Sequence, residues 1–432
     1  MENKWLTPCD YNDDEAILEA NRCLSCKVPM CEKGCPTNMK IRDFIFQIKQ
    51  NNLDNASKII AGCSSLSNIC SIVCPHENQC VGHCILNKKN KPIQVGKLER
   101  YIQTKTHYLE SAAPKIGKRV AIIGSGPAGL SAAKELLIGG VDVDVYEQEA
   151  VAGGVMTYGI PSYRLSYNDV LRVVDDLKKL GCKFHYNTKL LESDIVAMKK
   201  DYDAIFIGIG LTKVRKLGIK NENLDGVYDA LDFLKQINYN IKLNKGSLPI
   251  IGDVVVVVGA GNVAMDAARS AVRLGAKKVI IAYRRSLEEA PATKHEISEA
   301  QQEGVEFKFL NNPVEVIGDS HVTAIKCEVM RLGEPDESGR RRPVGTNEFI
   351  TIECDNIISA IGQIPENIFN EGVIATDHNY ICADGLKTTV DGIYTGGDIL
   401  LGAKTVVEAM RCGREFAKEI LNNLKWGLKN VL

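Results

Sequence analysis

Eight cysteines near the N-terminus fall into two spaced groups. The first is Cys23-x2-Cys26-x4-Cys31-x3-Cys35-Pro36; the second is Cys70-x3-Cys74-Pro75 followed by Cys80-x3-Cys84. Ten of the fifteen cysteines lie in the first 84 residues, a crowding that core packing does not require. Thiolates bind soft iron well, and short spacings let one loop wrap a cluster. A closing Cys-Pro is the pattern in which the last thiolate ligates a different cluster from its neighbours. The alternatives are a structural zinc site and a disulfide framework. Zinc sites normally use two CxxC-like pairs, which this spacing is not.

Two glycine-rich loops supply the second chemistry. Gly124-Ser125-Gly126-Pro127-Ala128-Gly129 follows the hydrophobic run Arg119 to Ile123 and opens an alanine-rich helix, and Glu147 ends the next strand, Val141 to Tyr146. This is the dinucleotide fingerprint in its required context. Glycines let the backbone approach a pyrophosphate, the helix N-terminus favours its charge, and the acid takes ribose hydroxyls. The second loop, Gly259-Ala260-Gly261-Asn262-Val263-Ala264, follows the β-branched run Val254 to Val258. Where NAD enzymes place an acid, this chain has Arg284 and Arg285. Guanidinium forks bind phosphate, so the pair points to the 2′-phosphate of NADPH.

These motifs must be positioned by alternating strands and helices, the mark of a parallel sheet. Before residue 112 the chain reads as helical, with Ile41, Phe44, Ile45 and Ile48 at helical period, further helices starting near Asp13 and spanning Lys97 to Leu109, and a linker at Ala112-Ala113-Pro114. Thr405 to Leu424 reads as a long amphipathic helix. The expected class is α/β: a helical iron–sulfur domain (1–112), then two Rossmann-like domains. The nicotinamide domain (226–359) is inserted in a flavin domain made of 117–225 and 360–432.

A length of 432 residues suits two to four domains, and a net charge of −1 argues against a nucleic-acid binder. No apolar run is long enough to span a bilayer, so no membrane role is expected. No secretory signal is visible, and cysteine usage without one points to metal or redox sites in a reducing cytoplasm.

The segment Arg22-Cys23-Leu24-Ser25-Cys26, Cys31, Gly34-Cys35-Pro36, Val73-Cys74-Pro75, Cys80 and Cys84 resembles the N-terminal module of the glutamate synthase small subunit family. That family includes the NADPH-binding subunit of NADH-dependent ferredoxin:NADP oxidoreductase and the N-terminal part of dihydropyrimidine dehydrogenase. The resemblance covers nearly the whole chain and implies two 4Fe–4S clusters with crossed ligation. Cys23, Cys26, Cys31 and Cys84 would hold one, and Cys35, Cys74 and Cys80 the other. Glu99 would complete the second set. Cys9, Cys63 and Cys70 are left as free thiols. Gly392 to Asp398 resembles the second flavin motif of two-dinucleotide-domain flavoproteins, which implies FAD at the first loop. Gly397, Asp398, Thr405 and Gly154 are then flavin contacts, while Gly362 sits on the return strand from the nicotinamide domain.

The redox Cys pair of disulfide reductases is missing; the nearby candidate, Cys182, is single. Hydride transfer requires no catalytic side chain, so none is assigned. The expected function is an electron conduit between NADPH, FAD, two clusters and a partner subunit, either a large glutamate synthase chain or a ferredoxin-linked flavin subunit; a dihydropyrimidine dehydrogenase is a further alternative. A flavoprotein with a zinc-stabilised interaction module is the reading from another class.

Overall fold

The computed structural model describes residues 11–429, so Cys9 lies outside the described residues. The described chain forms two compact units. One comprises residues 158–163 and 212–364; the other holds the remainder.

The larger unit begins with the helices Asp13–Asn21, Ile41–Lys49, Leu53–Cys63, Ser67–Val73 and Val95–Lys105. Asn12 caps the first of them: its side chain accepts the Glu15 amide, and Glu15 accepts the Asn12 amide, each at 2.9 Å. Ile41, Phe44, Ile45, Ile48, Ile60, Leu98 and Ile102 form one core, against which Cys23, Cys31, Cys35 and Cys84 pack half-buried. The helices thus hold the thiols at the edge of an apolar cluster.

A seven-stranded sheet follows in the same unit. Its order is Ala383–Asp384, Lys387–Thr388, Ile393–Thr395, Ala204–Ile207, Arg119–Ile123, Asp142–Tyr146 and Lys183–His185. The central strands are parallel, with Val120 opposite both Val143 and Ala204. Ile393–Thr395 pairs parallel with Ala204–Ile207, so two distant stretches of chain complete one sheet. Central strands are buried on both faces, which is why they read as continuous Val/Ile/Ala runs.

The smaller unit has a parallel sheet in the order Val227–Asp229, Asn356–Ser359, Val254–Val258, Lys278–Tyr283 and Glu306–Phe309. A three-stranded antiparallel sheet, Asn311–Gly318, Val322–Pro335 and Arg341–Glu353, is added to it. Lys213–Val214 pairs with Gln363–Ile364 as an antiparallel ribbon, so this unit reaches beyond residues 226–359 at both ends. It also clasps residues 158–163. Asn238 donates to Tyr158 O (3.0 Å), Lys242 to Ile160 O (2.6 Å) and Tyr163 to Asp266 O (3.3 Å).

Among the described residues, no single helix is long and apolar enough to cross a membrane.

Candidate functional site

The first glycine loop is shaped by close backbone approaches. Gly124 has φ +97°, and a Cβ there would meet Gly208 O at 2.6 Å. A Cβ on Gly129 would meet Gly124 O at 2.0 Å. Both positions therefore require glycine to seat the helix Pro127–Ile138 against its strand. Gly126 differs: a Cβ there would meet nothing within 4 Å. Its lack of a side chain leaves open space at the N-terminus of a twelve-residue helix, which is where a pyrophosphate would lie. Pro127 stands at the first helical position, where its missing N–H costs nothing. Gly154, at φ +53°, lies against Gly126, with its would-be Cβ 2.9 Å from the Gly126 Cα.

Glu147 ends its strand beneath this loop. Its carboxylate accepts the Ser125 amide (3.0 Å), the Ser125 hydroxyl and the Glu149 amide (2.9 Å). Burial raises its pKa, and these hydrogen bonds offset part of that rise. The acid therefore supports the loop.

The C-terminal segment closes on the same helix. Gly397 (φ +74°) would place a Cβ 3.1 Å from that of Ala128, and a Cβ on Gly413 would meet Ala128 O at 2.1 Å. Asp398 follows, its carboxyl pushed up to about 7 by burial. Thr405 caps the helix Val406–Lys429 by reciprocal bonds with Glu408.

The second loop repeats the design. Gly259 (φ +126°) approaches Ala360 O, which a Cβ would meet at 2.4 Å, while Gly261 leaves 3.8 Å to Pro291. Asn262 and Val263 start the helix Asn262–Leu274, and the Asn262 side chain accepts the Thr293 amide at 3.1 Å. Gly362 (φ +121°) has no atom within 4 Å of its would-be Cβ. Arg284 is exposed. Arg285 departs from the phosphate expectation. It is 6% exposed and donates to Arg341 O (2.9 Å) and Asp336 Oδ2 (2.5 Å), so its guanidinium is spent on a neighbouring hairpin.

The thiols lie near one another. Cys31 feels the charges of Cys84 and Cys23, and burial pushes it up to about 12. Cys80 feels Glu99, Cys35 and Cys31; Cys74 feels Cys70, Glu99 and Cys80. Cys26 is half-buried on the same loop as Cys23. Glu99 is 6% exposed, and burial pushes its carboxyl up to about 8. Its Oε1 has no hydrogen-bond partner. A buried carboxylate oxygen without a partner beside raised thiols suits a cationic guest. Among the described residues, no three such side chains converge on a single ion.

Residues 4–110 match the family described as dihydropyrimidine dehydrogenase domain II, 4Fe-4S cluster, and residues 118–413 match pyridine nucleotide-disulphide oxidoreductase. The Escherichia coli (strain K12) glutamate synthase (NADPH) small chain is 35% identical over 96% of this chain and 93% of its own. This chain belongs to that family. As a member it is an NADPH-dependent oxidoreductase that uses FAD and 4Fe–4S iron. The family also reaches the NADP(+)-dependent formate dehydrogenase subunit beta of Moorella thermoacetica, 36% identical over 92% of this chain and 60% of that one. Among solved structures, Mycobacterium tuberculosis FprA in complex with NADPH shares the fold, with a TM-score of 0.61 at 19% identity over 74% of this chain and 86% of that one. Thiol–disulfide chemistry, suggested by the second family description, finds no nucleophile in Cys182: it is buried, and its thiol is pushed up to about 12.

Two features of this family member have no local signal in the sequence. Arg285 pairs with a residue far along the chain, and Arg414 binds the carbonyls of Gly62 and Cys63. In both cases the partner is remote in sequence.

Proposed function

We propose that this chain is the NADPH-side subunit of a larger electron-transfer enzyme. It links NADPH and FAD to two 4Fe–4S clusters and, through them, to a partner subunit. The observation that supports this is the gathering of the thiols and one buried acid: Cys31 lies near Cys84 and Cys23, and Cys80 near Glu99, Cys35 and Cys31. Cys23, Cys26, Cys31 and Cys84 are assigned to one cluster. Cys35, Cys74, Cys80 and Glu99 are assigned to the other.

When bound, the cofactors supply hydride exchange between nicotinamide and flavin and one-electron passage through iron–sulfur centres. The protein supplies placement. Gly124, Gly126 and Gly129 seat one pyrophosphate, with Glu147 at its ribose, and Gly397, Asp398 and Thr405 frame the rest of the flavin. Gly259, Gly261, Asn262 and Val263 seat the other dinucleotide, and Arg284 takes the 2′-phosphate. Leu24, Val28, Met30 and Ile85 are exposed beside the first cysteine set, an apolar surface that suits coverage by a partner.

A large glutamate synthase chain is the partner assigned first, because the glutamate synthase small chain is matched over nearly its whole length. A subunit of another NADP-linked complex is the second reading, supported by the equal likeness to the formate dehydrogenase subunit. Anaerobic isolation from the native host, with mass spectrometry of co-purifying chains and iron counted per chain, tests both. About eight irons per chain and a co-purifying large synthase chain are expected. A zinc-bearing, iron-free chain would sink the relay.

A further inference from the structure

A polar pocket of about 400 Å³, counted with its open mouth, lies within the larger unit. The N-terminal helices Leu53–Cys63, Ser67–Val73 and Val95–Lys105 line one side with Ser57, Ser67 and Gln103. The helices Pro127–Ile138 and Tyr167–Lys179 line the other with Lys134, Arg172 and Asp176.

The carboxylates here are already matched. Asp176 is 2.8 Å from His107 Nε2 and pairs with Lys179 at 3.5 Å. Arg172 Nε donates to His107 Nδ1 at 3.2 Å, which leaves the ring proton on Nε2, toward Asp176. Glu135, next to Lys134 in the chain, accepts the Ser65 hydroxyl (2.7 Å) and pairs with Arg414 (3.1 Å). Arg172 also donates to the carbonyls of Gln103 (2.6 Å) and Thr106 (3.4 Å).

The remaining donors are not matched. Among the described residues, the side chains of Ser67, Gln103 and Lys134 find no hydrogen-bond or ion-pair partner. Ser67 is 8% exposed and Gln103 6%, and buried polar groups of this kind normally have partners. Lys134 is half-buried. Burial lowers its pKa, and nearby Glu135 and Asp176 offset only part of that drop. An ammonium, a carboxamide and a hydroxyl around one space are unspent donors, which suits a negatively charged oxygen ligand. We propose that this pocket binds a small oxyanion, a phosphate or a carboxylate, on Lys134, Gln103 and Ser67, and that the bound ion ties the N-terminal helices to the helix Pro127–Ile138. Lys134 lies about two turns, or about 10 Å, along that helix from Pro127. The ion is therefore separate from a pyrophosphate at the first glycine loop.

The test is isothermal titration calorimetry of the full chain, loaded with FAD and saturated with NADP+, so that neither glycine loop is open to the probe. Inorganic phosphate and acetate are titrated separately, at constant ionic strength in chloride. One saturable site per chain is expected. Binding of phosphate alone, or of acetate alone, names which oxyanion the pocket takes. Lys134→Met removes the ammonium, keeps the length of the side chain and breaks no ion pair, so the protein should fold. It should bind the ion about tenfold more weakly, the worth of one charge-assisted hydrogen bond. Should that variant fail to accumulate, Gln103→Leu carries the same decision, with an expected loss of about fivefold. Absence of saturable binding for both ions overturns the proposal. An affinity unchanged in the folded variant overturns it as well, because the ion would then sit elsewhere.

Discussion

Arg285 donates to Asp336 Oδ2 at 2.5 Å, across 51 residues of sequence. The pair ties the end of the strand Lys278–Tyr283 to the turn between Val322–Pro335 and Arg341–Glu353. Arg341 reinforces it through Glu288 (2.6 Å) and Glu289. The adjacent arginines thus differ in setting: Arg285 is buried in this pair, while Arg284 is exposed. Arg284→Ala should raise KM for NADPH about tenfold, the worth of one charge-assisted hydrogen bond, and leave NADH unaffected. Arg285→Ala should instead lower the melting temperature and impair both nucleotides alike. Steady-state kinetics with an artificial dye acceptor decide this. Equal losses for both nucleotides in Arg284→Ala would remove its phosphate role.

Two glycines of the first loop should respond in opposite ways. Gly126→Ala meets no atom within 4 Å, so the protein should fold normally. The added methyl occupies the pyrophosphate position, and FAD content after purification should drop sharply. Gly129→Ala would drive a methyl onto Gly124 O at 2.0 Å, so it should yield little soluble protein. A flavin-replete Gly126→Ala protein would move the pyrophosphate elsewhere.

These cases show what the sequence made legible. Local signals came through: the acidic start of the first helix, the glycine loops with their strands, and the long helix after Thr405. Each depends on neighbours a few residues away. Arg285 was read as a phosphate ligand because Asp336 is remote in sequence and pairs with it only through the hairpin. The clasp on Tyr158, Ile160 and Tyr163 was hidden for the same reason. Their partners Asn238, Lys242 and Asp266 lie on helices of an inserted segment. The crossed cysteine sets came from a resemblance; spacing alone left zinc open.

Asp398 gives a pH signature. Burial raises its carboxyl to about 7, from the ordinary value of 3.8. The folded state therefore holds this proton more tightly than the unfolded state. Its contribution to stability is greatest below about pH 4, falls as pH rises, and becomes a full penalty above about 7. Asp398→Asn removes a penalty on the order of a few kcal/mol. In flavin-free protein, the variant should be more stable than wild type at pH 8 and equal near pH 4. Denaturant titrations at the two pH values measure this. The same variant should lose FAD more readily, since a neutral amide accepts hydroxyls less strongly than a carboxylate. Equal stabilisation at both pH values would mean that the carboxyl is not the cause.

Arg414 joins the C-terminal helix to the cysteine-bearing helices. It donates to Gly62 O (3.0 Å) and Cys63 O and pairs with Glu135 (3.1 Å), which also accepts the Ser65 hydroxyl (2.7 Å). One turn earlier, Met410 accepts the Ser64 hydroxyl at 3.3 Å. The helix Val406–Lys429, capped by Thr405 beside the proposed flavin contacts, therefore grips the segment that carries Gly62 and Cys63. Arg414→Ala leaves two carbonyls and a carboxylate short of a donor, at a cost of about 2 kcal/mol. Arg414→Lys keeps the charge but cannot reach both carbonyls, so it should rescue only in part. Stopped-flow mixing with NADPH separates the consequences. Flavin bleaching should keep its wild-type rate, while the slower loss of brown cluster absorbance should lag further behind it. A variant with a lower melting temperature but an unchanged cluster phase would make Arg414 a strut with no part in electron passage.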